Sequence, residues 1–272
     1  MKAIPPIRRH GSRGSLTCPA APADRQRDAV QHCRMPLRKT EVELLRYITD
    51  GGGGALAQEL ARWFEARPRF AAFVAAHRDK VRKKLRASTD ERASTSVRAE
   101  LITAYLLLAD RRFEITPEAF GAGNRGPDLT MTFRASFRFN VEITHLRQGP
   151  TAAGDVTAKL SSVLLGKLRQ LPPGMANLLV IAVPSPSLSE DDLVTAVRRL
   201  KSRAERADDA FFTARGFTSA RNFYAHYLRL SAVCVVDTAQ ARAAYWPNRE
   251  AKHPLPTEPA RAVRRCLGAD TA

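Results

Sequence analysis

Two uniformly apolar runs constrain this chain most: NLLVIAVP at 177–184 and SAVCVVD at 231–237. Each has strand length and neither alternates apolar with polar residues, so both faces of each strand are expected to be buried. A sheet covered on both sides needs helices on both faces, which points to an α/β class.

The period of the pattern switches along the rest of the chain. Residues 38–50, RKTEVELLRYITD, set Val42, Leu45 and Ile48 at helical spacing, and Gly51–Gly54 stop that helix. A second helix, ALAQELARWFEAR, puts Leu56, Leu60, Trp63 and Phe64 on one face and ends at Pro68. A single third helix is expected from near Arg69 through Ala87. The polar stretch STDERASTSV reads as a linker or an entry to the helix RAELITAYLLLADRRF, whose stripe is Leu101, Tyr105 and Leu108. Three strand-like segments follow, FEITPEAF, LTMTF and RFNVEITHL, the last two joined by a turn near Arg134–Ser136. Residues 151–171 are helical and Pro172 and Pro173 end them. Beyond the first apolar run, Ser189 with Asp192 reads as a capping box opening another helix, and SARNFYAHYLRL as one more. From Ala239 the tail is expected to hold a short helix, a proline-interrupted loop and a last helical stretch.

The formal net charge is +17 and hydrophobic residues make up 44% of the 272, enough for a sizeable core. Such a field attracts polyanions, nucleic acid before an anionic membrane, although a codon bias toward arginine would give the same excess. Cys18, Cys33, Cys234 and Cys266 form no CxxC pair, so neither a zinc site nor a disulfide scaffold is expected, and a reducing cytoplasm is the default. No apolar run approaches membrane-spanning length, and the basic N-terminus lacks the apolar segment of a signal peptide. Residues 1–36 read as a disordered basic arm or an over-extended start, with Met35 as the true initiator. A helical region is expected over 37–94, an α/β core over 95–240 and a tail over 241–272.

The third helix carries Arg78, Lys80, Arg82, Lys83, Lys84 and Arg86 with only Asp79 opposing. It is read either as a phosphate-contacting patch or as a solvated helix end. The loop GAGNRGPD offers Arg125 as a further phosphate contact, or is a plain hairpin connection.

Acidic residues punctuate the element order at three places. Glu100 opens an apolar helix, Asp128 follows Pro127 at a loop–strand junction, and Glu142 lies in the next strand ahead of Ile143 and Thr144. Alternation in RFNVEITHL sets Asn140, Glu142 and Thr144 on one face, either a metal site or an ordinary wet face. With the order αβββαβ, these residues resemble the restriction-endonuclease-like, or PD-(D/E)XK, nucleases over roughly residues 95–185. The resemblance implies a mixed central sheet preceded here by a small helical region, and Mg²⁺-dependent (or Mn²⁺-dependent) phosphodiester hydrolysis on DNA. It implies that Asp128 and Glu142 hold the metal with the Ile143 carbonyl, that Glu100 completes the site, and that a homodimer is possible. Thr144 departs from the pattern, standing where the family has a lysine. Lys159 first and Lys167 second, both on the following helix, are candidates for a relocated cation; His145 or Arg147 could also assist from the strand end. The rival expectations are a fold that binds nucleic acid without cutting it and a module for an acidic protein partner.

Overall fold

The computed structural model describes residues 37–88, 90–117, 126–146, 156–183, 189–237 and 242–269. The N-terminal arm, Arg125 and Arg147 lie outside them. Leu37–Ala272 form one compact unit.

Its centre is a six-stranded sheet in the order β1-β2-β3-β4-β5-β6. β1 (Phe113–Pro117), β2 (Leu129–Phe133) and β3 (Phe137–His145) form an antiparallel meander. The β2–β3 connection holds Arg134 and Ala135 at φ 49° and 56°, a left-handed pair at a hairpin turn built without glycine. β4 (Ala176–Val183) and β5 (Ala232–Asp237) then add in parallel, and both are buried throughout. The expected pair of double-faced strands therefore lies inside the sheet, flanked by β3 and by β6 (Arg242–Pro247).

Alternation sorts β4 and β5 between two cores, while β1, β2 and β3 give their apolar side chains to one of them. On one face, Phe139, Val141 and Ile143 of β3 join Leu178, Val180 and Ala182 of β4 and Cys234 of β5. That core is closed by α5 (Glu91–Leu107) and α10 (Thr257–Leu267), with Ile48, Leu60, Phe64, Phe70 and Val74 from the N-terminal helices α1 (Lys39–Ile48), α2 (Ala55–Ala66) and α3 (Pro68–Ala76). On the other face, Leu179, Ile181, Val233 and Val235 meet α6 (Val156–Leu168), α7 (Glu190–Glu205) and α9 (Ala220–Tyr227); α8 (Asp209–Thr213) packs its Phe212 into the same core. The N-terminal helices thus share one core with the sheet. The Ser189 capping box forms, with Ser189 Oγ accepting from Asp192 N at 3.2 Å and Asp192 Oδ2 accepting from Ser189 N at 2.9 Å.

Three expectations are corrected. The third helix is two, because His77 breaks it before α4 (Arg78–Ala87). The break turns α4 onto α1, where Tyr47 Oη donates to Asp79 at 2.6 Å and Arg82 and Arg86 reach Asp50. The segment after Ala239 supplies β6 (Arg242–Pro247), a strand antiparallel to β5, in place of a short helix. Val42, expected on the core stripe of α1, is exposed, while Glu41 beside it is buried under the side chain of Arg38. No helix among the described residues is long and apolar enough to cross a membrane.

Candidate active site

The register explains how the acids meet. Leu129 pairs with Val141, so Asp128, one step earlier, extends β2 opposite Glu142. Odd positions of β3 feed the α5 core, which turns Glu142 toward α6. Asp128 Oδ2 accepts the Ile143 N–H at 2.7 Å, which fixes this carboxylate against the neighbouring strand.

Glu142 is 4% exposed, so the wet-face expectation is excluded. A buried carboxylate needs a partner. It finds one in α6: Lys167 Nζ donates to Glu142 Oε1 at 2.6 Å and also to Gln170 Oε1 at 3.2 Å. Burial pushes the Glu142 carboxyl up to about 7; the Asp128 charge adds to the rise, the Lys167 ammonium opposes it, and Glu100 raises it further. Three acids from three elements therefore share one electrostatic neighbourhood.

Glu100 approaches from α5 and is held by another lysine, with Lys84 Nζ 2.6 Å from its Oε2. Two cavities flank the cluster. The larger, about 730 Å³, is lined by Ser96, Glu100, Asp128, Thr144, His145 and Lys159 among others. The smaller, about 500 Å³, is lined by Gly126, Asp128, Glu142, Gly166, Lys167, Arg169 and Gln170. Thr144 is half-buried at the rim, and His145 points to the α5 side, its Nδ1 3.2 Å from Ser96 Oγ.

The structure thus brings together Glu100, Asp128, Glu142, Lys167, Thr144 and Lys159, with Lys167 on the carboxylate and Lys159 on the wall of the larger cavity. The basic cluster of α4 is largely committed to ion pairs. Arg82 and Arg86 converge on Asp50, Lys84 takes Glu100, and Lys80 donates to the Pro117 carbonyl at 3.2 Å. Opposition to this cluster thus comes from Asp50 and Glu100 in addition to Asp79. Gln170 and Arg169, which no motif in the sequence marks, line the smaller cavity; their place just past the end of α6, near Lys167, is the signal the sequence carries.

Among the described residues no group of three or more His, Cys, Asp and Glu is arranged to hold a metal ion. In comparisons with known proteins, no family model, no curated protein and no solved structure matches this chain.

Proposed function

We propose that this protein is a metal-dependent phosphodiesterase acting on DNA. The observation that carries the reading is the Asp128–Glu142 pair, set on adjacent strands against the Lys167 ammonium and opening on a cavity. Such a cluster of carboxylates with one strongly perturbed member is what acid–base and metal chemistry require.

The donor set suits a hard divalent cation. It offers carboxylate oxygens and no thiolate, and Mg²⁺ is commonly held by one or two carboxylates with water filling the remaining positions. Asp128 and Glu142 would hold the ion. When bound, it supplies neutralisation of the charge that develops on phosphorus oxygens and lowers the pKa of water. The chain's own residues do the rest. The Ile143 N–H orients Asp128. Lys167 places a positive charge at the cluster, where an anionic transition state gains most from a fixed cation. Glu100, steadied by Lys84, faces the larger cavity and can accept a hydrogen bond from water there. In this reading Lys167, with Lys159 behind it, serves in place of the lysine absent at Thr144.

A second reading, a nucleic-acid binder that does not cut, is favoured by the same ion pair, because Lys167 already neutralises Glu142. Cleavage of a DNA duplex separates them. The first reading expects nicking with Mg²⁺ or Mn²⁺, lost in Asp128→Asn and Glu142→Gln, and calorimetric Mn²⁺ binding lost in the same variants. Duplex binding with no cleavage under either metal selects the second.

A further inference from the structure

Gly166 has no folding reason to be glycine. It lies inside α6, where glycine is among the weakest helix formers. A Cβ built there meets nothing within 4 Å, so no neighbour requires its absence. Its backbone is ordinary helix, so no special φ requires it either. It is half-buried and lines the smaller cavity beside Asp128, Glu142 and Lys167. The missing side chain keeps the wall low next to the carboxylates.

Arg169 is the second observation. Its Nη1 donates to the Gly216 carbonyl at 3.3 Å and its Cζ stands 5.9 Å from the centre of the Phe217 ring. Gly216 sits at φ +81°, a left-handed backbone that suits glycine, and its carbonyl meets the Arg169 guanidinium. An exposed arginine is thereby held at the cavity rim, with that carbonyl its hydrogen-bond acceptor among the described residues. Lys159 lines the larger cavity, which shares Asp128, Lys167 and Gln170 with the smaller one. Arg169, just past the end of α6, is ten residues from Lys159, about 15 Å at the helical rise. That is too far for one phosphate and calls for several successive nucleotides of a strand.

We propose that α6 is the seat of one polynucleotide strand. The strand crosses the helix at Gly166, with phosphates bound by Arg169 on one side and Lys159 on the other, and the phosphate between them faces Lys167 and the carboxylate pair. This rests on the phosphodiesterase reading and adds the path of the substrate to it. The regularly repeated negative charge of a nucleic-acid backbone fits spaced cations; a single small anion would use one of them.

The test uses the full chain and a fluorescein-labelled DNA duplex, with anisotropy read without and with Mg²⁺ across a salt series. Gly166→Ala and Gly166→Leu are expected to raise the melting temperature by about 2–4 °C, since each improves the helix. Gly166→Leu should nevertheless weaken duplex affinity tenfold or more, with Gly166→Ala falling between it and wild type. Arg169→Ala and Lys159→Ala should each flatten the salt slope by about one. A stable Gly166→Leu that binds as wild type overturns the path, as does an unchanged slope in Arg169→Ala, whose exposed position makes misfolding no explanation. Displacement of the duplex by an equal concentration of polyglutamate overturns it in favour of an acidic protein partner. Wild-type protein that binds no DNA at any salt removes the phosphodiesterase reading itself, whereas binding and cleavage indifferent to Gly166→Leu removes only the path.

Discussion

The Lys167 ammonium stands 2.6 Å from Oε1 of Glu142, a residue 25 positions away on the strand that α6 covers. The Glu142 side chain is 5% exposed and that of Lys167 22%, so the pair is mostly removed from water. Breaking a buried pair by removing one partner costs about 3–5 kcal/mol, because the survivor is left charged and unpaired. With Lys167 partly exposed, Lys167→Met is expected to destabilise by about 2–4 kcal/mol. Glu142→Gln keeps a hydrogen-bonding group beside Lys167 without the buried charge, and should cost less. In urea denaturation, Lys167→Met combined with Glu142→Gln should recover part of the single-variant loss. Simple addition of the two losses would show that the residues are not coupled.

The pH dependence follows from the direction of the Glu142 shift. Its folded-state value, raised to about 7, exceeds that of a free glutamate, so the folded protein binds the proton more tightly than the unfolded chain. This contribution is fully present below the ordinary glutamate range and is lost as pH rises toward 7. Stability should therefore decline between about pH 4.5 and 7 from this group, and Glu142→Gln should flatten the decline. Melting temperatures measured across that window in both proteins decide it; parallel curves reject the assignment to Glu142.

Asp50 gathers the positive end of α4. Arg86 and Arg82 hold its carboxyl down to about 2, and its own backbone lies at φ 52°. Two of the six clustered cations are thus occupied by one carboxylate. If α4 meets phosphate, Asp50→Asn should free both guanidinium groups and steepen the salt dependence of duplex binding by up to about two. An unchanged slope would show that this helix end faces only solvent.

Much of the architecture was legible because it rests on local periodicity. The apolar runs at 177–184 and 231–237 could be buried only in a doubly covered sheet, and the alternation of RFNVEITHL put Glu142 and Thr144 on one face. What escaped depends on distant partners. Nothing near Glu142 in sequence says that α6 will cover it, and that covering turns a polar strand position into a buried charge. Lys159 and Lys167 flank similar apolar positions but lie about 80° apart around a helix of 3.6 residues per turn. Only the seating of α6 on the sheet decides which of them meets the carboxylate. The commitment of Arg82, Arg86 and Lys84 to Asp50 and Glu100 was hidden for the same reason, since each pair spans 16 to 36 residues. The break at His77 has no proline or glycine to announce it, and β6 carries the mixed pattern RAAYWP, which takes its strand form from β5.

Thr144 gives the sharpest test of the relocated cation. It lies two positions beyond Glu142 on the same face of β3, opposite Ile181 of β4, and lines the larger cavity with Lys159 and Lys167. A lysine there would project an ammonium toward α6 from the strand itself, with its stem over apolar neighbours and its charge at the half-buried rim. If Lys167 supplies the catalytic charge, Lys167→Ala should lower cleavage by about 10²–10³-fold, the loss typical of removing one preorganised electrostatic group. Adding Thr144→Lys to Lys167→Ala should restore part of that loss, because a cation again faces the carboxylate pair. In the wild-type background Thr144→Lys should change cleavage little. Rates with Mg²⁺ for the four proteins, each checked for unchanged circular dichroism, decide the matter. Full activity in Lys167→Ala would remove Lys167 from the mechanism. A wild type that does not cut but gains cleavage with Thr144→Lys would place Lys167 as a structural partner of Glu142 and the missing cation at the strand.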